Sequence, residues 1–287
     1  MNSLLLALLL NQAAVHAVRQ GAGSTSAEKW LVSNPEGALN ATMISMGRVP
    51  GVTVQLVYGR NPDIDTGSVP EDIWNAGGLY TGFPIFADGG YQAETLQAFS
   101  SSGLDTADGG TGAMRVQLEG LDSAGEARTE SVFLNGSTPV TTVGVFGRMA
   151  KAYVLEAGDG GVNAGTITVR HSTTTTNVFA VMPIGYNQTT ICGTSIPAGH
   201  TGYVKLLSTQ LNAGASGAVS SALWIRRPGL PGRFERSYDQ TDAYSITDFI
   251  HGGLPVPEKS DVILRVLASV TNNVKVNCSF DVVLVEN

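Results

Sequence analysis

Val274-Lys275-Val276-Asn277-Cys278-Ser279-Phe280-Asp281-Val282-Val283-Leu284 is the stretch on which the fold turns. Val274, Val276, Cys278, Phe280, Val282 and Leu284 occupy every second position, and Lys275, Asn277, Ser279 and Asp281 lie between them. Successive side chains of a strand point to opposite faces, so a period of two describes a long strand with one apolar face against a core. A helix would instead repeat its apolar residues three and four apart. Val283 and Val285 interrupt the polar side, which predicts burial on both faces near the end.

The same alternation returns upstream. Met114, Val116 and Leu118 alternate with Arg115, Gln117 and Glu119. Val52, Val54 and Leu56 alternate with Thr53 and Gln55, which predicts that these three residues form the buried face of a strand. Further strands are predicted at 131–134, 140–145, 152–156, 167–169, 203–207, 222–225 and 262–270. Turn signals separate them: a loop over 120–125, Asn135-Gly136 as a hairpin turn, and Gly158-Asp159-Gly160-Gly161. Residues 244–250 read as a short helix. Short strands punctuated in this way indicate sandwiches or barrels.

Helical character is concentrated at the start. Leu4-Leu5-Leu6-Ala7-Leu8-Leu9-Leu10 is an apolar run, and Thr25-Ser26-Ala27-Glu28 fits a capping box before Lys29-Trp30-Leu31. The run is too short to span a bilayer. Two readings stand: a docking helix, or a secretory signal ending near Ala14-Val15-His16-Ala17, although no Lys or Arg precedes Arg19. The expected fold is mainly β, with two antiparallel β-sandwich or jelly-roll-like domains and a short helical N-terminal arm. The expected divisions are 1–50 for the arm, 51–165 for the first β-domain and 166–287 for the second.

Composition agrees with a β-rich surface or assembly protein. Charged residues are only 14%, against a usual share of about 25%, while 35 of the 287 residues are glycine. A sparsely charged surface must be solvated by Ser, Thr, Asn and backbone. The net charge of −7 lacks the basic footprint of a nucleic-acid binder.

Signatures of chemistry are missing from the chain. His16, His171, His200 and His251 are isolated from one another and from Cys192 and Cys278, and no zinc spacing occurs. There is no nucleophile elbow and no phosphate-binding loop; Asp108-Gly109-Gly110-Thr111-Gly112 precedes a strand rather than a helix. Asp63-Ile64-Asp65 and Asp105-Thr106-Ala107-Asp108-Gly109 lack a calcium-loop spacing, and turn capping by the carboxylates is the favoured reading. No catalytic residue, cofactor, metal or small-molecule substrate is expected. The two cysteines are expected to be free and buried, since Cys278 lies within a strand pattern.

Three groups are candidates for contact with a partner. Leu5, Leu6 and Leu9 would insert from the arm between subunits. Trp74 either fixes a loop to the core or anchors an interface, where tryptophan is enriched. Arg226 and Arg227, with Arg233 and Arg236, surround Pro228-Gly229-Leu230-Pro231-Gly232; they form either a solvated loop or a patch for an acidic surface.

Particular strings add a family. Gly59-Arg60-Asn61-Pro62-Asp63-Ile64-Asp65 followed by Glu71-Asp72-Ile73-Trp74, Gly112-Ala113-Met114-Arg115-Val116, Leu134-Asn135-Gly136-Ser137-Thr138-Pro139-Val140, Ile196-Pro197-Ala198-Gly199-His200-Thr201 and Pro257-Glu258-Lys259-Ser260-Asp261 follow one another in an order that resembles a group of tailed-bacteriophage virion structural proteins. The resemblance covers roughly residues 55–287. It implies a non-enzymatic virion protein that binds other virion proteins, foremost the major capsid protein, as a homo-oligomer. A head-associated decoration, cement or head-fibre role is the leading expectation. The alternatives are a tail or receptor-binding protein and a secreted bacterial adhesin-like protein. No nucleic-acid partner and no membrane span are expected.

Overall fold

The computed structural model describes residues 49–83, 91–212, 218–241 and 245–287. The expected helical arm, with Leu5, Leu6 and Leu9, lies outside the described residues. Among the described residues the chain forms strands and no helix.

In chain order the strands are β1 (Val52–Ile64), β2 (Glu71–Asp72), β3 (Glu94–Ser100), β4 (Ala113–Leu121), β5 (Ala127–Phe133), β6 (Val140–Phe146), β7 (Arg148–Ala157), β8 (Ile167–His171) and β9 (Val178–Met182). They continue with β10 (Gly193–Ser195), β11 (His200–Asn212), β12 (Ala218–Arg226), β13 (Arg233–Thr241), β14 (Ser245–Val256), β15 (Asp261–Ser269) and β16 (Val274–Glu286). Their sheet orders are β6-β3-β8-β9, β5-β4-β7, β10-β15-β12-β13 with β2 on β15, and β1-β16-β11-β14. By compactness, the described residues between 56 and 282, with Asn287, form one unit, and residues 49–55 with 283–286 belong to another.

The two sheets built from β3–β9 share one apolar core. Leu96 and Ala98 of β3, Phe146 of β6, Ile167 and Val169 of β8 and Phe179 of β9 meet Val116 and Leu118 of β4, Val132 of β5 and Met149 and Ala152 of β7. Each of these strands has one apolar face to bury, and packing two such faces together removes both from water. Asn135-Gly136 makes its turn, with Thr138 N–H donating to Asn135 C=O at 3.0 Å. It does not close a hairpin, because β5 pairs with β4 and β6 pairs with β3. The turn carries the chain from one sheet to the other. Pairing also runs across the 165/166 point: β8 lies beside β3, with Leu96 opposite His171.

The remaining sheets draw on both ends of the described chain. β2 pairs with β15, placing Asp72 opposite Arg265, 193 residues away. Residues 245–250 belong to β14 rather than to a helix, with Ile246 opposite Thr209 and Phe249 opposite Leu206 of β11. Ile and Thr at 246, 247 and 250 favour a pleated strand, and long-range pairing overrides any local helical tendency. β16 follows its sequence pattern: Val274, Val276, Cys278, Phe280 and Val282 are buried in alternation, and Val283 and Leu284 are buried together.

β1 is inverted relative to its sequence pattern. Leu56 is 63% exposed, Val54 is also exposed, and Val57 is buried. The inward positions continue with Gly59 and Asn61. A Cβ on Gly59 would fall 2.1 Å from Cys192 N and 2.6 Å from Ile73 O. This close backbone approach requires a small residue on the inward side at 59, and Val54, Leu56 and Tyr58 take the outward positions.

Candidate functional site

Asp261 opens β15, and register places it opposite Ser195 of β10 on one side and Arg226 of β12 on the other. The Ser195 hydroxyl donates to Asp261 Oδ1 at 2.6 Å. Arg226 donates to Oδ2 through Nε at 3.1 Å and also through Nη2, and Nη2 reaches the Phe83 carbonyl at 2.9 Å. Arg148 opens β7 and completes the cluster, with Nε donating to Oδ1 at 2.8 Å and Nη2 to Oδ2 at 3.2 Å. Asp261 is 1% exposed. Arg148 stacks over the Tyr91 ring, 4.3 Å from its centroid. Burial pushes the Tyr91 hydroxyl up, and the Asp261 carboxylate adds to that push.

A second pair lies on the same sheet. Arg265 forks onto Asp72, with Nε–Oδ1 at 2.6 Å and Nη2–Oδ2 at 3.0 Å, and Tyr80 N–H donates to Oδ2 at 2.8 Å. Burial pushes the Asp72 carboxyl up, opposed by the Arg265 guanidinium, which pulls it down. The guanidinium also covers the Trp224 ring at 4.8 Å. Beside this pair runs an edge-to-face aromatic chain, Trp74–Tyr80 at 5.1 Å and Tyr80–Phe83 at 4.8 Å. Together Leu79, Tyr80, Phe83, Trp224, Arg226 and Arg265 line a cleft of about 330 Å³.

The cleft suits contact better than catalysis. Asp72, the carboxylate in its lining, is gripped by a two-pronged guanidinium, a geometry that engages both oxygens and removes it from service as a base. The Tyr80 hydroxyl donates to Phe179 C=O at 2.8 Å, and burial pushes it up. Among the described residues, no group of three or more His, Cys, Asp or Glu converges to hold a metal ion.

The other ionisable clusters are built into turns. Asp105 Oδ1 accepts from Ala113 N–H at 2.7 Å and Ala164 N–H at 2.8 Å, while Oδ2 accepts from Gly165 N–H at 2.8 Å and the Ser100 hydroxyl at 2.5 Å. The carboxylate thereby fastens two loops. Asp65 Oδ1 accepts from Asn273 N–H at 2.8 Å. Glu94 receives the backbone N–H groups of Thr173 and Thr174, both at 3.1 Å, together with their hydroxyls. Burial pushes the Glu94 carboxyl up, but these hydrogen bonds outweigh it and pull it down to about 2. Burial pushes the neighbouring His171 imidazole down, and the Glu94 carboxylate counters it.

The expected partner-contact residues are distributed unevenly. Trp74 is 4% exposed, its indole N–H donating to Gly78 C=O at 3.1 Å, so it fixes its loop to the core. Arg226 is 8% exposed and belongs to the Asp261 cluster rather than to a solvated loop. Arg227 is partly buried and pairs with Glu235 at 2.5 Å. The structure therefore places Trp74 in the aromatic cluster and Arg226 in the lining of the neighbouring cleft, while Arg227 pairs with Glu235 of β13. Asp72, Arg148, Asp261 and Arg265 belong to no chemical motif in the sequence. A usable signal was present: Arg265 interrupts the apolar strand Asp261-Val262-Ile263-Leu264-Arg265-Val266-Leu267, and a cation in such a strand needs a carboxylate. Cys192 and Cys278 are not free but paired, with Cα atoms 6.3 Å apart. β16 brings Cys278 to the segment before β10, a proximity that a sequence separation of 86 conceals.

No family model matches the chain, and no curated protein matches it. Among solved structures, the infectious bursal virus-derived T=1 particle protein is 11% identical, with 82% of this chain and 70% of that chain covered and a TM-score of 0.18. The protein of infectious bursal disease virus strain Gt is 10% identical over 83% of this chain and 79% of that chain, with a TM-score of 0.16. At these TM-scores neither the fold nor the role of those particles transfers to this chain.

Proposed function

We propose that the chain is a non-enzymatic structural component of a tailed-bacteriophage virion, a head-associated decoration, cement or head-fibre protein that binds other virion proteins, foremost the major capsid protein, as a homo-oligomer. One observation carries the reading: the interior carboxylates Asp72 and Asp261 are taken up by arginine forks and lock strands together, instead of converging on a cleft as reactive groups. Low surface charge and the ordered strings shared with tailed-phage virion proteins support it. So does the strand-built architecture of the described residues, whose sheet pairs we read as two-layer sandwiches, since large β surfaces serve contact more readily than turnover.

Mass spectrometry of purified particles, followed by immunogold labelling, tests the reading. Label over the heads is expected. Label on tails moves the chain to a tail or receptor-binding role, and absence from the particles overturns the proposal.

A further inference from the structure

β13 is the terminal strand of its sheet, and β12 is its sheet partner. Among the described residues no strand pairs with its other edge; β14 touches its far end, where the Tyr238 hydroxyl donates to Asp248 Oδ2 at 2.8 Å, so the unpaired backbone donors and acceptors in question are those of residues 233–237. Arg233, Phe234, Arg236 and Ser237 are all exposed, which is unusual for a strand whose neighbour β12 is largely buried.

A bulge arranges these side chains. Trp224 faces Phe234, but Leu223 faces Arg236, so Glu235 is an extra residue in β13. Strand positions three apart normally point to opposite faces. The extra residue cancels that offset. Arg233 lies opposite Ile225 and Arg236 opposite Leu223, two residues on one face of β12, so both arginines share a face. Glu235 is engaged by Arg227. Among the described residues neither Arg233 nor Arg236 has a carboxylate partner. On the other face, Phe234 is 52% exposed and sits directly across from Trp224, which lines the aromatic cleft. Apolar surface therefore runs from the cleft to the open edge.

We propose that the β13 edge accepts an extended strand from a neighbouring protein, one whose side chains alternate acidic and apolar. Its backbone would continue the β10-β15-β12-β13 sheet. Its acidic side chains would meet Arg233 and Arg236, and its apolar ones would cover Phe234 beside Trp224. Strand addition takes its affinity from main-chain hydrogen bonds and its selectivity from alternate side chains, and this edge offers a different chemistry on each face. Charge complementarity selects the occupant: two unpaired cations on one face of a chain with net charge −7 attract an acidic strand. The proposal deepens the assembly reading and relies on it only for the partner's origin.

The test uses the full chain and a capped nonapeptide of alternating glutamate and valine, with binding followed by calorimetry and by amide chemical shifts. The peptide should bind at least about tenfold more tightly than a lysine–valine counterpart, and more weakly as salt rises. Charge reversal with Arg233→Glu and Arg236→Glu should cost at least about tenfold in affinity, while Arg233→Lys with Arg236→Lys retains binding. N-methylation of alternate peptide amides should abolish it. Absence of binding, equal binding of the lysine peptide, equal binding of the N-methylated peptide or displacement by short duplex DNA would each overturn the proposal. Because the measurement uses the isolated chain, its failure removes the acceptor edge alone, whereas absence of the chain from particles removes the virion reading alone.

Discussion

Arg148 and Asp261 stand 113 residues apart in sequence, yet they form a two-pronged ion pair with both side chains almost wholly withdrawn from solvent. The pair ties the first residue of β7 to the first residue of β15. Arg226 and Ser195 converge on the same carboxylate, so this single side chain joins four strands.

Asp261→Asn keeps the shape of the side chain and removes its charge, leaving two guanidinium groups facing an amide. Breaking a buried pair by deleting one partner costs about 3–5 kcal/mol, because the remaining charge is uncompensated. Urea denaturation of the variant should show a loss of that size. A loss below about 1 kcal/mol, the level of an exposed pair, would mean that water reaches the cluster.

Glu94 sets an acid limit on stability. Its folded pKa is pulled from the ordinary 4.5 to about 2, so the unfolded chain binds the extra proton between those values. Stability from this group is fully present above about 4.5 and is lost as the pH falls from there toward 2. Glu94→Gln should flatten the fall of the urea midpoint across that window. His171, held below 6.5 by burial, acts in the same direction at higher pH, with stability lost as the pH falls below 6.5. An unchanged acid profile in the Glu94→Gln variant would show that the threonine cage does not hold the carboxylate in solution.

Thiol counting checks the cysteine pairing. The unfolded, unreduced protein should react with no equivalents of a maleimide, and with two after reduction. Reduction should lower stability by about 2–4 kcal/mol, as loss of a bridge across a long loop does. Two reactive thiols before reduction would restore the free-thiol expectation.

Gly59→Ala should destabilise by about 1–3 kcal/mol, because a methyl group has no room between Cys192 and Ile73. Gly67→Ala, with nothing within 4 Å of the added carbon, serves as the control and should be close to neutral. Equal melting temperatures for the two variants would show that β1 does not press against that backbone.

What the sequence revealed depended on how each strand is buried. β16 has a core on one face and a wetter surface on the other, so its period of two was plain, and the same holds for β4. β1 carries a similar alternation, yet the inference of its buried side failed. A glycine at 59 was needed for backbone contact, and no periodicity reports such a constraint. β14 departs from the helix expected at 244–250 because those residues show no clean alternation, and the partner of 245–250 in β11 lies about forty residues upstream. The cleft was illegible for a related reason. Asp72, Asn177, Trp224 and Arg265 of its lining are scattered along the described chain, and register between distant strands leaves no local trace. Trp74 and Arg226 stand out singly in the sequence, but only their burial distinguishes an internal brace from a surface contact.

The pairing of β2 with β15 has a consequence for how the chain matures as it leaves the ribosome. Strands β3 to β9 find all their sheet partners among themselves, so that part can close once residue 182 has emerged. Asp72 and Glu71 must wait for Arg265 and Val266, with 193 positions separating Asp72 from Arg265. Until then Ile73 lacks the Leu264 carbonyl to which its N–H donates, and the cluster around Trp74 lacks Ile263. Nascent chains halted before that point should therefore be the ones that recruit chaperones and clump together, while a stop just after β9 leaves a tidy, self-contained piece.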